Sequence, residues 1–422
     1  GLHGINDWHP VMHTLLEKLI LTVIPQAGAI TAVQMLLFTW LLTAILMIGY
    51  DSGIPLRRLT FLGAVIELLP NQALSASNVL KDFPFTLALL WGLYLLALLA
   101  MKKPQSRKFG FYVRLTVDIF LICTLRHNGV VPGLAVAVLC IVLTLKNHAA
   151  LKWRPAVSAL TAVVLLAVYK GPVFTALGVV PNGMSPYTTM MCAINKELPL
   201  SEESEQIMEK ALPLEDWGEY YSRFVGHDPY YWGRPAGSEP YKISDITARD
   251  AFTVYLEALR KYPDVVIKDR LDGTDILWDV VQPPDSFNAR SFSFVSPFPE
   301  NTLPLDTSRL DRLDDGSYIK TAVPAKAYYS AANTPINSAA DMLLWRTGAY
   351  LIAFWVLLLF WRKNGMQRFR SAAVPFLGNL IISVLYVYHQ SFRYVYFVQV
   401  CVLALLFATV VCRPRPPQPE EE

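Results

Sequence analysis

Charge is scarce in this chain. Only 17% of its 422 residues are Asp, Glu, Lys or Arg, against roughly 25% in ordinary globular domains. With 53% hydrophobic residues and a mean hydropathy of +0.34, that shortage excludes a disordered chain and argues against a soluble one. Cysteine is sparse too: Cys123, Cys140, Cys192, Cys401 and Cys412. No CxxC and no Cys/His metal spacing occurs, so zinc ribbons and small disulfide scaffolds are excluded. Four of these cysteines lie in or beside apolar stretches. Only Cys192 lies in the polar part, so that part closes no internal disulfide. A P-loop, GxGxxG, HExxH and GxSxG are also missing, and nucleotide, zinc-protease and serine-hydrolase chemistries lose their support with them. No internal repeat is visible.

Long apolar runs dominate what is there. A helix crosses a bilayer in about 20 apolar residues. Stretches 27–50, 84–101, 129–145 and 394–412 are long enough and free of charge. Stretches 155–170 and 342–361 carry a charge near one end. Stretch 371–389 has no charge but contains Pro375 and Asn379. Two weaker stretches complete the set. One, 57–70, opens on Arg57 and Arg58 and holds Glu67; the other, 109–125, holds Arg114 and Asp118. The last two are four residues apart and are expected to pair along a helix. The expected fold is therefore an α-helical polytopic membrane protein with about nine transmembrane helices.

Orientation follows from Lys and Arg in the short loops. Arg57/Arg58, Lys102–Lys108, Lys146–Arg154, Arg362–Arg370 and Arg413/Arg415 mark every second junction as cytoplasmic. Junctions 71–83, 126–128, 171–341 and 390–393 are then external. Residues 1–26 must be external as well, which leads us to expect a further span or a cleaved signal peptide upstream of Gly1. Segment 171–340 holds 15 basic and 24 acidic residues, while the remainder holds 22 basic and 10 acidic. The basic excess matches membrane topology and implies no nucleic acid. The expected organisation is an external loop with an interfacial helix at 1–26, membrane helices at 27–170 and 341–412, a mainly helical extracytoplasmic domain at 171–340, and a disordered cytoplasmic tail at 413–422. Within the domain, Ser201 before Glu202, Glu203 and Glu205 marks a helix start. A second helix spans 245–262, with Phe252, Tyr255, Leu256 and Leu259 on one face and Pro263 at its end. Residues 282–310 read as extended loops. Tyr220, Tyr221, Tyr230, Tyr231 and Trp232 make the domain too aromatic for disorder.

The polar residues collect at the external junctions. Asp7, His9 and His13 precede and enter the interfacial helix; Pro10 suits its first turn. The two histidines share a face and could bind phosphate, a sugar hydroxyl or a metal, or simply cap a helix beside Trp8. Lys81 and Asp82 sit at the mouth of a span, where Asp82 can cap the helix and Lys81 can hold a phosphate or snorkel. Arg126, His127 and Asn128 share one tight turn, and Arg suits bidentate phosphate contact. Arg393 lies in the last external turn, against the positive-inside trend. Together these cations and histidines suit an anionic, membrane-held ligand such as a lipid phosphate.

The motifs NDWHPVMHTLL, NVLKDFPF, LRHNG and SFRYVY, with MSPYTTMMCAINKELPLSEES, resemble a family of bacterial polytopic proteins that is itself similar to the GT-C glycosyltransferases. The resemblance implies an enzyme of the bacterial plasma membrane with its large domain outside. Its donor would be a polyprenyl-phosphate-linked sugar, its acceptor an unidentified cell-envelope molecule, and a divalent metal is a possible cofactor. Arg126 and Arg393 would grip the lipid phosphate, with Lys81, Asp82, His9, His13, His127 and Asn128 around it. Such enzymes carry a carboxylate base in the first external loop. The usual position falls upstream of Gly1, and Asp7 is the carboxylate left in that loop. The competing readings are a glycolipid-precursor transporter or flippase, and an envelope assembly protein.

Overall fold

The computed structural model describes residues 5, 7, 9–146, 152–180, 198–210, 213–214, 217, 246–284, 286, 310–312, 318–320, 334–387 and 390–411. Helices make up nearly all of them. The first part of the chain forms α1 (Val11–Val23), α2 (Ala27–Tyr50), α3 (Leu56–Glu67), α4 (Pro70–Ser77), α5 (Asp82–Ala100), α6 (Phe109–Leu125), α7 (Val130–Lys146) and α8 (Arg154–Val168). A π-helical turn, Tyr169–Val173, extends α8 where Pro172 lacks an N–H to continue the regular ladder. Next come α9 (Glu202–Glu209), α10 (Ala248–Lys261), α11 (Pro263–Gly273) and α12 (Asp275–Trp278). The chain closes with α13 (Ala339–Leu344), α14 (Gly348–Lys363), α15 (Val374–Tyr386) and α16 (Phe392–Val411). One antiparallel hairpin pairs β1 (Leu310–Arg312) with β2 (Tyr318–Lys320), Asp311 opposite Ile319.

Five helices among the described residues are long and apolar enough to cross a membrane: α2, α5, α7 with its preceding turn, α8 with its extension, and α16. In lipid every backbone polar group must be satisfied within the chain, and continuous helices do that. Helices α5 and α16 form the centre, with 78% and 72% of their apolar windows enclosed, whereas α8 has 22% and faces outward. All nine stretches picked out in the sequence fall on helices, but only five supply those crossing helices; 109–125, the 17-residue α6, is not among them, and three others differ in form. Segment 57–70 is bent rather than one straight rod: α3 and α4 meet at 64°. The cause is Pro70, which cannot donate to the ladder and holds Leu69 extended. Segment 342–361 is interrupted between Leu344 and Gly348, and 371–389 contains a helix of only 13 residues.

The expected Arg114–Asp118 pair is not formed. Asp118 is fully buried, Arg114 is exposed, and neither Asp118 oxygen has a hydrogen-bond partner. Spacing of four permits a pair but does not decide which flank of the helix faces inward.

The segment after α8 has its own core, built on Ile207, Met208, Trp217, Val254, Tyr255 and Ala258. Ser201 caps α9 by accepting from Ser204 N–H, and a reciprocal Thr247/Asp250 capping box starts α10. The inward face of α10 is Ala251, Val254, Tyr255 and Ala258, one step round from the expected one, and Phe252 is 45% exposed. Pro263 both ends α10 and opens α11. The aromatic run 220–232, nearly all of loop 282–310, Cys192, Cys412 and tail 413–422 lie outside the described residues.

Polar contacts seat α11 and α12 on the membrane helices. Arg270 donates to the carbonyls of Leu385 and Val387, both at 3.4 Å, at the C-terminal end of α15. Gln390 accepts from Ile276 N–H and donates to Asp272 O. Thr347 Oγ1 donates to Ile276 O and Leu277 O at 2.9 Å, and Arg346 meets Asp275 at 3.2 Å. These contacts place the segment at the same end of the bundle as the N-terminus of α16.

Candidate anion site at one end of the bundle

The junctions singled out as external come together in space. Helix α6 ends at Leu125, and Arg126 turns to extended backbone (φ −147°, ψ 144°). That turn carries the Arg126 side chain across the N-terminus of α5, where its Nη2 lies 3.3 Å from Asp82 Oδ1. The contact is an ion pair without hydrogen-bond alignment. The guanidinium sits 5.7 Å from the Phe85 ring centre and 5.2 Å from that of Tyr394. Arg393 stacks on the same tyrosine at 4.7 Å and donates to its hydroxyl at 2.8 Å. Two arginines from distant junctions therefore share one aromatic platform.

Lys81 is partly buried beside them. Loss of hydration lowers its pKa first; Asp82 and Asp7 raise it, and Arg126 and Arg393 lower it further. Lys81, Arg126 and Arg393 thus lie in reach of one another, with the buried carboxylate of Asp82 paired to Arg126 and acting on Lys81. Three cations beside that one buried carboxylate leave an excess of positive charge. The N-terminus of α5 adds its dipole in the same sense, and Asp82 in the first turn answers part of it.

His9 lies at the exposed rim. Desolvation, then the charge of Lys81, lowers its pKa, with Asp82 acting against them and Arg393 and His127 with them. His13, buried one turn on, is pushed down to about 4, by burial first and then by His9. Both imidazoles are neutral at neutral pH. His13 Nε2 lies 3.5 Å from Glu17, whose own pKa burial raises. His127 is exposed in the turn after Arg126, and Asn128 is half-buried with its Oδ1 enclosed and not hydrogen-bonded. Asp7 stands slightly apart. Its Oδ2 pairs with Lys170 at 3.6 Å, and its N–H donates to Val180 O. Of the residues expected at the site, His9, His13, Lys81, Asp82, Arg126, His127 and Arg393 are in electrostatic reach of one another. Asn128 joins them through its turn, and Asp7 acts on Lys81 from the edge.

A narrow cleft opens beside this group, between Ser75, Asn78, Asp82, Trp345, Arg393 and Tyr396. Its wall is aromatic: Phe83 stacks on Tyr396 at 5.8 Å, and Trp345 meets Phe392 edge-on at 5.1 Å. The bent helix α4 supplies Ser75 and Asn78. Buried polar bonds hold it there, from Asn71 to Gln399 at 2.5 Å and between Tyr396 and Gln72. Sequence reading missed α4, Trp345 and Tyr396. The available signal was the run of Asn71 and Gln72 directly after Pro70, polar residues with no place in a straight span. Among the described residues no three His, Cys, Asp or Glu gather to hold a metal ion.

The apolar helices suit a membrane protein, and the cleft and the cationic cluster lie together at one end of the bundle. Compared with family models, with curated proteins and with solved structures, the chain matches none.

Proposed function

We propose that the protein is a membrane glycosyltransferase that takes a polyprenyl-phosphate-linked sugar as donor and transfers the sugar to a cell-envelope acceptor at the outer face of a bacterial membrane. The observation that carries this reading is the gathering of Lys81, Arg126 and Arg393 around the buried Asp82 region, beside an aromatic cleft at one end of the bundle. A lipid phosphate supplies the anion, and its prenyl chain stays in the apolar phase. Nine spans with segment 171–340 outside are part of the same proposal, since the basic junctions then fall on the cytoplasmic side.

The chemistry is a displacement at the anomeric carbon. An acceptor hydroxyl forms the new C–O bond, the bond to phosphate breaks, and the phosphate leaves with the electron pair. Lys81, Arg126 and Arg393 would neutralise that developing charge. The acceptor proton needs a base. Asp7, paired with Lys170, is the carboxylate the resemblance suggests; His9, at the rim, is the second group in place.

The test is binding and turnover by the full chain in lipid nanodiscs. Polyprenyl phosphate should bind and the uncharged polyprenol should not, and R126A and R393A should weaken binding at least about tenfold each, as for loss of a charge-assisted hydrogen bond. Equal binding of phosphate and alcohol would remove the proposal. A transporter remains the second reading because a carboxyl, Asp118, lies buried between the helices.

A further inference from the structure

Asp118 lies on α6, eight residues before Arg126 and so about 12 Å deeper along the helix at 1.5 Å per residue. It is 0% exposed, and among the described residues neither of its oxygens has a hydrogen-bond partner. The side chain fills a notch in α5. A Cβ built on Gly92 would meet Asp118 Oδ2 at 2.6 Å and the Pro375 ring at 3.5 Å. Only glycine lets the carboxyl reach across α5 towards α15.

Helix α15 carries buried polar groups beyond Pro375. Asn379 and Ser383 follow Pro375 at four-residue steps, so all three lie along one face. Asn379 is 0% exposed and Ser383 1% exposed. Both amide atoms of Asn379 and the Ser383 hydroxyl are enclosed without a hydrogen-bond partner. Helix α15 packs against both α5 and α7. Asn379 lies one helical turn beyond the notch that Pro375 closes, about 6 Å along the helix, and Ser383 a turn further still.

Among the described residues Asp118 has no ion-pair partner. Helices α5, α7, α8 and α15 carry no charged residue between their ends, and α1, which also packs on α6, carries His13, Glu17 and Lys18. On α6 itself Arg114 is exposed. The titratable groups coupled to Asp118 are the buried thiols of Cys123, on its own helix, and Cys140, on α7, neither a cation. A carboxylate buried in a bilayer needs one positive charge to be tolerated, and such residues mark ion and proton sites.

We propose that Asp118, with Asn379 one turn beyond Pro375, forms a membrane-buried site for one small monovalent cation, a proton or an alkali ion. The site stands apart from the proposed sugar chemistry and does not depend on it. The two sources share one requirement, a single positive charge on the Asp118 carboxyl. The amide oxygen of Asn379 would contribute to an alkali-ion shell, and the same atom would accept a hydrogen bond from a protonated carboxyl.

Two measurements on the full chain in detergent or nanodiscs test this. The first is labelling by an apolar carbodiimide, which adds to a protonated carboxyl inside an apolar phase and is located by peptide mapping. Asp118 should be labelled and D118N should lose that label. Suppression by sodium chloride but not choline chloride at fixed pH identifies an alkali ion; suppression only as pH rises identifies the proton. N379A should shift the half-protecting concentration or proton activity by about threefold to tenfold, the range for one lost hydrogen bond. The second measurement is independent of reagent access. The thermal midpoint of the wild type minus that of D118N should rise with sodium, or with falling pH, because a ligand that binds only the folded state stabilises it. N379A serves as the comparison if D118N does not fold. A midpoint difference indifferent to both sodium and pH, or labelling of Asp118 indifferent to both, overturns the proposal.

Discussion

Arg126 holds Asp82 at 3.3 Å with both side chains nearly enclosed, at 11% and 6% exposure. The pair ties the C-terminal end of α6 to the N-terminus of α5. Breaking a buried pair strands the remaining charge and costs about 3–5 kcal/mol. D82A should therefore lower the thermal midpoint of the protein in detergent more than R126A does. After D82A, Lys81 and Arg126 are left without their shared carboxylate. After R126A, Lys81 still faces it. Equal midpoints for both variants would mean that Asp82 is not the common counter-ion.

A second buried pair, Arg346 with Asp275, holds α12 to the start of α14. Arg346 is 0% exposed, and it also donates to Asp279 O at 2.8 Å. R346M should cost about 3–5 kcal/mol by leaving Asp275 buried without its cation. Limited proteolysis is the sharper readout. Cleavage within 263–286 should accelerate in R346M, while the membrane helices stay protected. Unchanged protection of that segment would show that Gln390 and Thr347 suffice to seat it.

The residues at the bundle end were legible because charge is rare in this chain. Each Lys or Arg at a junction that breaks the alternation of basic loops stands out, and Lys81, Arg126 and Arg393 all do so. Their convergence follows once the helices alternate in direction. What could not be read depends on facing. Asp118 and Arg114 are spaced to pair, yet α6 turns one inward and the other outward. The inward stripe of α10 was misplaced by one residue because Phe252 looks more like core than Ala251. The Asp275–Arg346 pair joins positions 71 residues apart, and only the appearance of Arg346 in an otherwise apolar stretch hinted at a buried partner.

Stability should depend on pH through His13. Its folded pKa is about 4, against an ordinary value of 6.5, with burial as the main cause. Between these values the unfolded chain binds a proton that the folded chain does not. Stability is therefore full above pH 6.5 and falls as pH drops towards 4. The loss is at most about 3 kcal/mol at 1.36 kcal/mol per unit, and Glu17 at 3.5 Å offsets part of it once His13 is charged. H13N should flatten the thermal midpoint over that window. A slope unchanged by H13N would assign the effect to other groups.

Gly129 decides whether the Arg126 turn can exist. A Cβ there would meet the carbonyl oxygen of Ile122 at 2.1 Å and the Phe85 ring at 2.9 Å. The first contact is backbone and cannot swing aside, so G129A must open the turn between α6 and α7. Phe85 is also one of the two rings that hold Arg126, so the strain acts directly on the cationic cluster. G129A should lower the thermal midpoint and weaken polyprenyl-phosphate binding together. A double-mutant cycle separates positioning from general damage. If Gly129 acts by placing Arg126, the G129A/R126A double variant should bind no more weakly than the worse single variant, because residues in one network are not additive. If the two losses instead add in full, Gly129 supports the helix packing and Arg126 acts independently of the turn.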